Sequence, residues 1–132
     1  MVKRGALSEY VDNLQAAGRL TFTREEAMAA LEVSMEALKL AALRLSKRRR
    51  LVSPRRGFYV IVPLEHREAG APPVDVWLPA LLRFHGVRAG AIVAEGAEVV
   101  VTVDRALRPL VCGAHRVSFV RRSEIRLPTF SR

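Results

Sequence analysis

The sequence predicts an α+β fold, and three observations predict it. Two apolar-periodic segments flank the short connection Glu32-Val33-Ser34, the spacing of a helix-turn-helix. Leu51-Val52 and Phe58-Tyr-Val-Ile-Val62 have the β-branched and aromatic content of strands, and Pro54-Arg-Arg-Gly57 between them supplies turn chemistry. Beyond Gly86 the pattern changes to short valine-rich runs. Together these give an N-terminal winged helix-turn-helix over residues 1–63 and a linker over 64–73. A small α+β module over 74–132 follows, one helix and then antiparallel strands.

In chain order, Ser8 begins a helical pattern through Val11, Leu14 and Ala17, and Gly18 stands where a left-handed cap belongs. Thr23-Arg-Glu-Glu26 reads as a capping box, in which the Thr23 hydroxyl and the Glu26 carboxylate satisfy orphan amides reciprocally. It opens a second helix from about Arg24 to Leu31. Ser34 is a good N-cap for a third, from Met35 to about Arg48. There Leu38, Ala41, Ala42 and Leu45 share the core face, so Glu36, Leu40, Leu43 and Lys47 point outward. The two outward leucines either meet thymine methyls or pack on something else, such as the second half of the chain, and packing is favoured.

Arg55 and Arg56 fall at the hairpin tip, and Pro63 ends the second strand because it cannot donate to a ladder. A short helix is expected from Val74 to about His85, with Pro79 in or near its first turn and Trp77 as a core anchor. Strands follow at Ala97 to Val103, around Arg108-Pro-Leu-Val, and from His115 to Arg121, where Val117 and Phe119 alternate with Arg116 and Ser118.

The 132 residues carry a formal net charge of +9. Residues 1–64 hold 12 basic and 6 acidic residues, against 10 and 7 in residues 65–132, so the excess belongs mostly to the first half. Between Ala37 and Leu64 there are eight Lys/Arg residues and no Asp or Glu. Such a run beside a helix end and a hairpin suits a nucleic-acid backbone. Arginine outnumbers lysine 19 to 3, a bias that a GC-rich genome also produces, so the clustering carries more weight than the ratio. Hydrophobic content of 50% fits a folded chain. A lone Cys112 cannot form an internal disulfide, which suits a reducing cytoplasm, and no apolar stretch suggests secretion or a membrane span.

The residues expected to bind double-stranded DNA are therefore Ser34, Met35, Glu36 and Lys39 at the start of the third helix, Arg44, Lys47 and Arg48 along its end, and Arg55 and Arg56 on the hairpin. Cys112-Gly-Ala-His115 has metal-like spacing but no second pair, and reads as a β-turn. His66 and His85 are isolated. No phosphate-loop spacing, Gly-x-Ser-x-Gly or His-Glu-x-x-His occurs, so neither an enzyme, a cofactor nor a metal is expected.

The order of these elements, with Leu51-Val-Ser-Pro-Arg-Arg-Gly-Phe-Tyr-Val-Ile-Val-Pro63, Gly70-Ala-Pro-Pro73 and a Trp-containing helix, resembles the AbiEi-type antitoxins of bacterial type IV toxin–antitoxin systems. The resemblance continues through Val101-Thr-Val-Asp-Arg-Ala-Leu-Arg-Pro109 and Val117-Ser-Phe-Val-Arg-Arg122. It implies a winged helix that binds operator DNA and represses its own operon, and a C-terminal domain that opposes a nucleotidyltransferase-like toxin. The C-terminal half is shorter than in that family, and Arg49 stands where members often carry Gly. A toxin-neutralising interaction module, or a decayed relative that keeps only the winged helix, are the alternatives.

Overall fold

The computed structural model describes residues 5–122. Residues 1–4, and 123–132 at the end of the expected second module, lie outside the described residues. The chain runs α1 (Ala6–Ala16), β1 (Thr21–Thr23), α2 (Arg24–Leu31), α3 (Met35–Lys47), β2 (Leu51–Arg55) and β3 (Phe58–Ile61). After a 3-10 turn at Leu64–His66 come α4 (Val74–His85), β4 (Ala89–Glu95), β5 (Glu98–Val103), β6 (Leu110–Cys112) and β7 (His115–Arg121).

Local chemistry sets the boundaries of the first half. The Thr23 hydroxyl accepts from the Glu26 amide at 3.1 Å while the Glu26 carboxylate accepts from the Thr23 amide at 2.8 Å, so the capping box forms as read. The Ser34 hydroxyl accepts from the Ala37 amide at 3.2 Å and starts α3. α3 closes with the Arg49 amide donating to the Ser46 carbonyl and the Arg50 amide to the Leu45 carbonyl, which is Schellman geometry. Arg49 holds the left-handed position of that motif, at φ 61°.

One three-stranded and one four-stranded sheet result, in the orders β1-β3-β2 and β4-β5-β7-β6. The middle strand of the first divides the interior. Tyr59 and Ile61 join Leu7, Val11, Phe22, Leu38 and Leu45 in one core, whereas Phe58 and Val60 face the opposite way into a second core with Trp77, Leu78, Leu81 and Val101. β3 is thus buried on both faces, and its continuous apolar run is what such a strand requires. Ala71 and Pro72, within the stretch expected as a linker, are buried as well, and the Pro72 carbonyl accepts from Trp77 Nε1 at 3.2 Å.

Three sequence expectations are corrected. The second sheet is mixed rather than antiparallel, since β5 and β7 run parallel from Glu98↔Arg116 to Val103↔Arg121. Residues 104–109 carry the chain past one strand position, anchored by the Asp104 carboxylate accepting from the Arg88 amide at 3.0 Å and by Leu107 against the core. β6 then lies at the edge, and β7 returns between it and β5. A further strand, β4, occupies residues before the first strand expected at Ala97, pairing antiparallel with β5. Pro79 sits inside α4 rather than in its first turn, so the helix carries on past the bond that a proline cannot donate.

Candidate nucleic-acid interface

α3 buries Leu38, Ala42 and Leu45 and turns its other side to solvent. Met35, Glu36, Lys39, Arg44, Lys47 and Arg48 are all exposed, as the 3.6-residue period requires. Ser34 is exposed too, with its hydroxyl engaged in the cap. Leu40 and Leu43 are 57% and 51% exposed, so they do not pack on the second half of the chain. The reason is topological: the second half docks on the far face of the β1-β3-β2 sheet, and Leu40 instead lines a groove with Leu7, Leu31, Val33 and Ala41.

Basic residues near the end of α3 complement its dipole, and none of Lys39, Arg44, Lys47, Arg48 or Arg49 makes an ion pair among the described residues. Arg50 behaves differently. Its guanidinium turns inward to the Ser8 hydroxyl at 2.9 Å and to the Asp12 carboxylate, tying the start of β2 to α1. The run Lys47-Arg48-Arg49-Arg50 therefore presents three cations outward and uses one as a strut.

The hairpin separates its two arginines in the same way. Arg56 is exposed in the two-residue turn. Arg55 is half-buried: its Nε donates to His85 Nε2 at 3.1 Å, a terminal nitrogen donates to the Arg108 carbonyl, and the guanidinium lies over the Phe119 ring with 5.9 Å to the centroid. Behind this contact β2 carries a register irregularity between Val52 and Arg55, where Pro54 falls. The Ser53 hydroxyl, 2.7 Å from the Arg55 carbonyl and 2.9 Å from the Phe58 carbonyl, braces that irregularity.

Arg55 is thus the centre of a positively charged junction. Arg105 donates to the His85 carbonyl, and among the described residues no carboxylate pairs with Arg55, Arg105 or Arg108. Burial first, then the nearby Arg108, push the Arg55 pKa below its usual value. Burial, then the Arg55 and Arg105 charges, hold the His85 pKa below the ordinary imidazole value. Arg105 and Arg108 carried no signal in the sequence, because only the crossing of residues 104–109 brings them to the hairpin.

Cys112 and His115 face each other across the β6–β7 turn, as expected of a β-turn, and burial pushes the Cys112 thiol up to about 12. No group of three or more metal-ligating side chains occurs among the described residues. No described helix is long and apolar enough to cross a membrane. Comparisons with protein-family models, with curated proteins and with solved structures find no match to this chain.

Proposed function

We propose that this chain is a non-enzymatic, DNA-binding transcriptional regulator that represses its own operon, reading double-stranded DNA with the exposed face of α3 and the hairpin turn. The observation that carries this reading is the outward row Lys39, Arg44, Lys47 and Arg48 on one helix, solvent-facing and without ion pairs among the described residues. Its setting supports the same reading. Helix, strand, two helices and a hairpin, with the last strand between the other two, is the order of a winged helix, whose second paired helix enters the major groove. The likeness to AbiEi-type antitoxins adds repression of the chain's own operon.

Lys47, Arg48 and Arg56 contact phosphates, and Met35, Glu36 and Lys39 near the start of α3 lie where base edges are read. The test is a gel-shift titration of the protein on the DNA upstream of its own gene at two salt concentrations. Binding should weaken steeply with salt, with a log–log slope near one per phosphate contact. Absence of a shifted band at low salt overturns the proposal.

A further inference from the structure

Among the described residues the fourth strand is an open edge, guarded by a register shift near its start but by no lysine or proline. β4 ends the sheet order β4-β5-β7-β6, and six of its seven residues are exposed. Edge strands are commonly blunted by lysine, proline, inward-pointing charge or a bulge, and of these β4 has only the bulge, confined to its first residues. Ala89-Gly-Ala-Ile-Val-Ala-Glu95 has no lysine or proline, and Ile92 and Val93 are 51% and 61% exposed. Val93 sits opposite the exposed Val100, extending the apolar row inward from the edge.

The charges at its two ends are unbalanced. Glu95 lies directly opposite Glu98, a destabilising cross-strand pair, and among the described residues only Glu98 has a cation, Arg116 at 3.8 Å. Arg88, immediately before the strand, is exposed and makes no ion pair among the described residues. The register shift between Ala89 and Ile92 sets Ala89 opposite the inward Val103 and Glu95 opposite the outward Glu98. Arg88 and Glu95 consequently share one face of the sheet, which strict alternation over an odd separation forbids.

We infer that β4 pairs antiparallel with β4 of a second copy of this chain, joining two four-stranded sheets into one across a two-fold axis. Antiparallel self-pairing brings the start of each strand to the end of the other, so each Arg88 lands beside the Glu95 of the second copy and offsets the Glu95–Glu98 repulsion. The interface is isologous and closes at two copies.

Sedimentation velocity on the full chain across a rising concentration series tests this. The expected result is a concentration-dependent doubling of the 14.7 kDa mass. Val93→Lys, checked for an unchanged circular dichroism spectrum, should leave only monomer. Arg88→Glu and Glu95→Arg singly should each weaken association roughly tenfold, and the double exchange should restore it, a recovery that a folding defect cannot produce. Amide exchange in β4 should slow as dimer forms. A monomer at every concentration, or a dimer indifferent to these variants, overturns the inference.

Discussion

The Nε of Arg55 donates to Nε2 of His85 across 3.1 Å, which fixes His85 as a neutral imidazole carrying its proton on Nδ1. This bond joins the hairpin to the end of α4, so the two halves of the molecule are coupled through an imidazole whose pKa is held below its ordinary value.

Acidification should loosen that coupling. His85 is shifted below the imidazole value of 6.5 by burial, then by Arg55 and Arg105, so the unfolded chain takes up the proton first. Its contribution to stability is complete above pH 6.5 and is lost progressively as pH falls through the lower folded value. Urea unfolding at several pH values should show this loss in the native chain and a smaller one in His85→Gln. A His85 titration by NMR that midpoints above 6.5 would contradict the assignment.

The two hairpin arginines should separate experimentally. Arg56→Ala, at an exposed turn position, should leave stability within about 0.5 kcal/mol and lower the salt slope of DNA binding by about one. Arg55→Ala removes a half-buried charge-assisted bond and should cost about 1–2 kcal/mol of stability. Thermal melts alongside gel shifts distinguish the two; equal loss of stability in both variants would count against the placement of Arg55.

Arg49 is a conformational misfit that glycine should relieve. The ends of α1 and α4 use the same carbonyl pattern as α3, with Gly18 and Gly86 in the left-handed position at φ 80° and φ 66°. Arg49 adopts φ 61° with a Cβ that this region disfavours. Arg49→Gly should therefore raise stability by about 0.5–1 kcal/mol in chemical unfolding, even though glycine is more flexible in the unfolded chain. A destabilised variant would mean that the Arg49 side chain supports the fold.

What the sequence disclosed follows the range of the interactions. Helix ends set by Thr23, Glu26, Ser34 and Gly18 were legible because capping acts over three or four residues. The buried pairing of β3 was present as the run Phe58 to Val62 but indistinct from an ordinary strand, since its second covering layer lies some twenty residues later, in α4. β4 was not legible because alanine and glycine are weak strand formers, and only hydrogen bonding to β5 makes that segment extended. At the candidate site, the helical period was enough to place Lys39, Arg44 and Lys47 outward, whereas the inward turn of Arg50 and Arg55 depends on Asp12 and His85, both remote in sequence.

Gly113 should be the least replaceable glycine in the second half. It occupies the β6–β7 turn at φ 61°, and Gly96 occupies the β4–β5 turn at the same φ 61°. Tight two-residue hairpins favour glycine at such a position. The backbone requirement is thus matched, and the surroundings differ. A Cβ at Gly96 would meet nothing within 4 Å, but one at Gly113 would fall 2.6 Å from the Ala69 carbonyl oxygen and 2.8 Å from the Ala71 Cβ. Those atoms belong to the segment that carries the chain toward α4, and Ala71 is itself in the core, so it has no room to retreat. Gly96→Ala should cost about 1 kcal/mol for the left-handed backbone alone. Gly113→Ala adds overpacking and should cost about 2–4 kcal/mol, with an earlier loss of Trp77 fluorescence in urea, because the residues 69–71 crossing leads into the Pro72 carbonyl that holds the indole. Equal midpoints for the two variants would show that the crossing can move aside without disturbing the core.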